Sequence, residues 1–273
     1  MGVGLQTGRE IEMPGPVDGL PHFCLSLTQS VISALRTSTD LLDLRRLMEA
    51  VTLEMGFRYY AIVHHDDLRA RRADRIDIRD YPAAVMDRLL EARRYRRDPV
   101  VRGCIFADSA FLWSDLPRLI EMDRQDIASL EHGRHAGLNQ GITVPCVRLG
   151  ECMGSCTFAG SSQPDRAETF LGAAQMIGIF AFQTARRLLG VAPGPMPRPP
   201  RLHPRPRDCI VLAGRGHSNK EIARALSLTP RTVDGYLTEA RRLYGAHDRT
   251  ELVVSAVLAG EIGLDELRPR QPG

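Results

Sequence analysis

Between Val191 and Pro206 the chain carries prolines at 193, 195, 197, 199, 200, 204 and 206. Proline fixes φ and lacks a backbone donor, so a run this dense predicts no helix and has little apolar material to bury. The run therefore predicts two bodies joined by a semi-rigid link. At 273 residues the chain is long enough for each body to have its own core. The expected division is a Gly/Pro-rich mobile leader over 1–20, a first domain over 21–190, the linker over 191–201, a second domain over 202–267 and a tail over 268–273.

The second domain reads as helical. Ile222, Ala223 and Leu226 share one face of a short helix, and Ser227-Leu228 is a tight connection. Thr229-Pro230 is a helix start, with a capping hydroxyl followed by a proline that has no amide to lose. Val233, Leu237, Ala240 and Leu243 then form a single apolar stripe. Two helices, a tight turn and a capped second helix predict a helix-turn-helix, whose second helix fits a DNA major groove. Charge agrees: residues 201–250 hold ten Lys+Arg against five Asp+Glu, although the whole chain is only +3.

These residues also resemble a known family. Leu202-His203-Pro204-Arg205, Glu221-Ile222-Ala223, Thr232-Val233 and Arg249-Thr250-Glu251 are similar to the LuxR-type (GerE-like) four-helix DNA-binding domain. The resemblance puts Thr232-Val233 on the recognition helix and Leu252–Ile262 on a fourth helix used in dimer contact. Base or backbone contacts are expected from Thr229, Arg231, Thr232, Asp234, Tyr236 and Thr238, and phosphate contacts from Lys220, Arg224 and Arg241. Two features depart from the pattern. Pro206 stands where the family has Glu, and Asp234-Gly235 lies on the groove-facing side, where an acid is repelled by phosphate but can accept from cytosine.

The first domain reads as mixed. Leu25–Leu53 is helical, with inward candidates Leu25, Val31, Leu35, Leu41, Leu42, Leu44, Leu47 and Val51 and with Ser38 or Thr39 restarting the helix before Asp40. Phe57–His64 and Arg75–Ile78 are strand candidates. Tyr81-Pro82 opens a helix to about Tyr95, and Asp98-Pro99 opens the next. Gly141–Arg148 and Glu151–Gly160 read as paired strands. Asp165–Leu189 is an amphipathic helix with Phe170, Ala173, Ile177, Phe180, Ala181 and Ala185 inward. The sum is α+β, an α-β-α sandwich followed by an all-α head.

Tyr81, Asp98-Pro99-Val100-Val101, Phe111-Leu112-Trp113-Ser114, Gly137, Gly141-Ile142-Thr143-Val144-Pro145 and Thr157 resemble the autoinducer-binding domain of LuxR-type quorum-sensing regulators. That family holds an N-acyl homoserine lactone inside such a sandwich and binds DNA as a dimer. The resemblance implies that Asp98 accepts from the ligand amide, that Tyr81 and Thr157 serve its acyl carbonyl, and that Trp113 packs on the lactone ring. Counted in register from Tyr81, Val85 replaces a family tryptophan that donates to the lactone carbonyl, and Leu89 replaces a tyrosine one turn later. Neither can donate, so a different small molecule or a weakened lactone site is expected.

Other features are read more plainly. No apolar run reaches membrane-span length and no secretion signal opens the chain, so a cytoplasmic protein with free thiols is expected. His64-His65-Asp66-Asp67 is a weak metal candidate, because consecutive strand residues point apart. Cys146, Cys152 and Cys156 read as small core residues, with Cys152 and Cys156 on one side, and Arg93–Arg97 as a solvated face. No cofactor and no metal are expected. A phosphoryl-driven receiver would need a lysine in the first domain, but Lys220 is the only lysine in the chain. Neither a nucleophile elbow nor a phosphate loop is present, so an enzyme is not expected. The expected partners are double-stranded DNA, a small-molecule effector, a second copy of the chain and RNA polymerase; a ligand-independent regulator of the same type is the alternative.

Overall fold

The computed structural model describes residues 20–65, 75–90, 97–190 and 201–268. The leader, the helical stretch beyond Leu90, the basic residues 93–96, Asp66-Asp67, the linker to Pro200 and the last five residues lie outside them. The chain divides into two compact units, Met1–Ala192 and Pro193–Gly273.

The first unit is built on a five-stranded antiparallel sheet with strand order β2-β1-β5-β4-β3. Its strands are β1 (Tyr59–His64), β2 (Asp77–Asp80), β3 (Phe111–Leu112), β4 (Gly141–Cys146) and β5 (Gly154–Ala159). One face is covered by α2 (Leu41–Glu54) and α7 (Leu171–Leu188), which pack on β1, β4 and β5, with α1 (Leu20–Thr37) packed on both helices. On the other lie α3 (Ala83–Leu90), α4 (Pro99–Phe106), α5 (Leu116–Leu119) and α6 (Arg124–His135). The expected sandwich is therefore observed.

Local chemistry sets the helix starts. Asp40 accepts from the amides of Leu42 and Asp43, restarting the chain after α1. Asp123 and Asp126 form a reciprocal capping box on α6. Arg102 on α4 holds both Asp126 carboxylate oxygens, at 3.0 and 2.8 Å, and donates to the Glu121 carbonyl, which fixes α4 against α6. Two expected core residues are corrected. Leu25 and Leu42 are 58% and 55% exposed, because α1 and α2 turn Val31, Leu35, Leu44, Met48 and Val51 inward instead. Phe180 is half-buried against the core as expected, and Phe182 on the same helix is fully buried in it. The helix predicted from Asp165 begins as a tighter 3-10 segment, Pro164–Phe170, before α7. Cys146 and Cys156 are buried core thiols, whereas Cys152 sits in the β4–β5 connection rather than on a strand.

The second unit is all-helical: α8 (Pro204–Gly214), α9 (Asn219–Leu226), α10 (Pro230–Tyr244) and α11 (Arg249–Leu258). Its core joins Cys209, Ile210, Ile222, Val233, Leu237, Ala240, Leu252 and Ala256. The proline run was read as non-helical to Pro206, yet Pro204-Arg205-Pro206 forms the first turn of α8. The first amides of a helix have no intrahelical acceptor, so proline costs nothing there. Between α9 and α10 the turn closes through Ser227, whose φ of 55° is left-handed. No described helix is long and apolar enough to cross a membrane.

Gly154 is the tightest point between sheet and helix. A Cβ there would lie 2.6 Å from the Val63 carbonyl oxygen and in collision with the Phe182 ring. Gly154→Ala is expected to destabilise the first unit by about 1–3 kcal/mol. Urea unfolding followed by the fluorescence of Trp113, the chain's single tryptophan, measures this directly.

Candidate functional site

Strand alternation gives β5 two chemistries. Cys156 and Phe158 enter the core under α7, while Ser155, Thr157 and Ala159 face the other side. The register sets Thr157 opposite Ala61 on β1 and opposite Thr143 on β4. Thr143 and Thr157 are 0% and 4% exposed, and their hydroxyls meet at 3.0 Å. The Trp113 indole N–H donates to Thr143 Oγ1 at 2.9 Å. Indole nitrogen only donates, so the Thr143 hydrogen is left for Thr157. Trp113 can lie against β4 because Gly141 is bare: an added Cβ would be 2.6 Å from the indole Cε2.

Tyr81 follows β2 directly, and its hydroxyl engages Thr157 from the opposite end of this row. Burial pushes the phenol well above its ordinary pKa, and the nearby charge of Asp98 pushes it further. Asp98 is half-buried at the start of α4. Its Oδ1 accepts from the amides of Val100 and Val101 at 3.0 and 3.2 Å, so it caps that helix. Its Oδ2 has no partner among the described residues. Burial raises the carboxyl to about 6, against the opposing pull of the two amides. The structure thus gathers Tyr81, Asp98, Trp113 and Thr157, four residues spread over 77 positions, on one side of the sheet.

Val85 is 7% exposed and packs with Leu138, Ala159, Tyr59, Tyr81 and Trp113. The wall beside Trp113 is hydrocarbon where the family pattern has a donor. Leu89 lies one turn along α3; its side chain is outside the described residues. Two polar residues on this face were not singled out from sequence as site residues, Thr143 and Ser155. The signal was available in the alternation Ser155-x-Thr157 and its pairing with β4. His64 and His65 turn to opposite sides. His64 Nδ1 accepts from the Ile76 amide at 3.0 Å and its ring stacks edge-on to Phe182 at 5.2 Å, whereas His65 Nε2 meets Ser155 Oγ at 2.9 Å.

In the second unit, Thr229 caps α10 by accepting from the Thr232 amide, and its hydroxyl meets that of Thr232 at 2.8 Å. Val233, Leu237 and Ala240 bury the inner face, which leaves Arg231, Asp234 and Thr238 exposed on the outer one. Tyr236 and Arg241 are half-buried; Tyr236 packs against the head core, and Arg241 donates to Thr238 at 3.0 Å. Lys220 and Arg224 are exposed on α9. Asp234 is not free to swing. The Asn219 amide donates to it at 3.3 Å, and Asn219 is itself held by Arg249 at 3.0 Å, which also donates to the His217 carbonyl.

A buried carboxyl whose pKa is raised on folding weakens the fold when ionised. That penalty is complete above about pH 6 and disappears as pH falls towards the ordinary value of 3.8. Asparagine caps a helix as well as aspartate does. Asp98→Asn is therefore expected to raise the stability of the ligand-free first unit by roughly 1–3 kcal/mol at pH 8. The gain should close by about pH 4 in urea titrations read by Trp113 fluorescence.

Residues 40–187 match the family described as autoinducer binding domain, and residues 201–256 match bacterial regulatory proteins of the luxR family. BjaR1, a transcriptional activator protein of Bradyrhizobium diazoefficiens, is 27% identical over 79% of this chain and 87% of its own length. SolR, a transcriptional activator protein of Ralstonia solanacearum, is 26% identical over 86% of this chain and 98% of its own. Among solved structures, SdiA in complex with octanoyl-rac-glycerol shares the fold with a TM-score of 0.51 and 17% identity, covering 86% of this chain and 95% of that one. A second structure, of Escherichia coli SdiA, gives the same TM-score and identity over 98% of its chain. With more than half of its length matched by one family domain and a second matched behind it, the chain belongs to the LuxR family of bacterial transcriptional regulators and carries an autoinducer-binding domain ahead of a LuxR-type helix-turn-helix.

Proposed function

We propose that this regulator acts in the cytoplasm, holds a small acylated molecule in the first domain and binds a two-fold symmetric DNA site as a homodimer, with RNA polymerase as the downstream partner. The observation that carries the ligand reading is the convergence of Tyr81, Thr157 and Asp98 beside Trp113. An amide N–H finds Asp98 Oδ2, which has no partner among the described residues and is a charge-assisted acceptor. The adjacent carbonyl finds the Tyr81 and Thr157 hydroxyls. A head group resting on Trp113 meets Val85, which offers only hydrocarbon.

The head group is thus recognised by shape rather than by a hydrogen bond to its carbonyl. The octanoyl-rac-glycerol held by SdiA is an acyl compound without a lactone, in keeping with a site on this fold that reads the acyl portion first. In the second domain, the outward stripe Arg231-Asp234-Thr238 reads bases, with Thr229, Thr232 and Tyr236 bordering it, and Lys220, Arg224 and Arg241 grip phosphates. A dimer sets two such helices about one helical turn apart on DNA.

Two experiments test this. In calorimetric titration, N-octanoyl-homoserine lactone and N-octanoyl-cyclopentylamide, which lacks the ring carbonyl, should bind within about threefold of each other; a bonded carbonyl would separate them by tenfold or more. Asp98→Ala should abolish both. In selection from a random duplex library, the full-length protein should enrich a two-fold symmetric site. Lys220→Ala should then lower the salt slope by about one, and Arg231→Ala should cost about 1–3 kcal/mol and relax one position of each half-site. Enrichment without symmetry would overturn the dimer reading.

A further inference from the structure

Beyond Thr157, the same sheet face carries a second polar pair that the amide-binding group does not use. Ser155 lies two residues along β5, roughly 6.6 Å from Thr157 on an extended strand. It is 3% exposed, and its hydroxyl meets His65 Nε2 at 2.9 Å. His65 follows β1 on that side, with its amide donating to the Met153 carbonyl. The other ring nitrogen, Nδ1, is buried and has no partner among the described residues. Burial and the neighbouring His64 lower the imidazole to about 4, so the ring is neutral at physiological pH, with one nitrogen a donor and the other an acceptor.

The surroundings give this pair its meaning. Ser155 and Asp98 both lie near enough to Cys104 to act on its thiol, so the pair belongs to the same side of the sheet as the amide acceptor. Cys104 itself sits in an apolar cluster with Phe111, Leu116 and Met153. A ligand tail leaving the carbonyl at Thr157 is blocked towards Ala159. There Tyr59, Val85 and Leu138 fill the space, and the Tyr59 ring packs on Gly137 and Gly160. In the other direction along β5 the next side chain on this face is Ser155. A purely hydrocarbon tail arriving there would leave a buried ring nitrogen unpaired, at a cost comparable to a lost hydrogen bond.

We infer that His65 and Ser155 form a second polar recognition point, selecting an acyl ligand whose chain carries a hydroxyl or carbonyl oxygen about five bonds beyond its amide carbonyl. This rests on the acyl-ligand reading above and specifies its substrate class. The test compares N-hexanoyl-homoserine lactone with N-(6-hydroxyhexanoyl)-homoserine lactone by calorimetric titration of the full-length protein. The hydroxylated compound should bind at least about tenfold more tightly to the wild type. In Ser155→Ala and His65→Phe the ratio of the two affinities should fall to near one. Because the readout is a ratio within each protein, a change in overall stability does not imitate it, and the wild-type comparison needs no variant. Equal affinities in the wild type, or a preference for the plain chain, would overturn the second recognition point and leave the acyl-ligand reading standing, as would a preference that survives both substitutions. Binding of neither compound to the wild type would overturn the acyl-ligand reading itself, and this inference with it.

Discussion

A hydroxyl buried in the middle of a sheet has to find a partner, and the first domain is arranged around that requirement. Thr143 and Thr157 sit side by side on β4 and β5 and satisfy each other. Trp113 fills one remaining acceptor position and Tyr81 engages the far end. The row ties a loop residue, two central strands and the segment leaving β2 into one unit, in a region where an unmet polar atom costs about 1–3 kcal/mol. The polar row is complete in itself, because each of these groups meets another within the domain.

Asp98 uses only part of its carboxylate for structure. One oxygen caps α4, while the other has no partner among the described residues. The cap and the Arg102–Asp126 pair, which anchors α4 to α6, hold the second oxygen in place. In the DNA-binding domain, Arg249 and Asn219 hold Asp234 in much the same way. An acid on a groove-facing helix opposes phosphate. The bond from Asn219 gives that acid a partner within its own domain.

Much of this was legible beforehand for identifiable reasons. Caps are local, so Asp98 and Thr229 could be found from their own neighbourhoods, whereas the restart expected at Ser38 or Thr39 is capped one or two residues later by Asp40. The apolar stripe of α10 was legible because a helix repeats its geometry over four turns, though its outermost member, Leu243, is exposed. Other readings failed where neighbours decide. Leu25 and Leu42 carry the same side chain as Leu35 and Leu44, but which leucines face α7 depends on how α1 and α2 rotate against it. The proline run was read too literally: Pro204 and Pro206 sit where a helix has no use for an amide.

The sequence by itself determined two bodies, their secondary structure and the family, because periodicity, capping and dense proline act over a few residues. Only the tertiary structure decided that Thr143 completes the polar row, that His64 and His65 serve opposite faces, and that Ser155 stands beside His65 rather than in a plain strand interior. Those facts depend on strand register and on which side of a sheet each residue faces. Register is set by pairings between segments as much as one hundred residues apart, such as Tyr59 with Ala159, which no local pattern encodes.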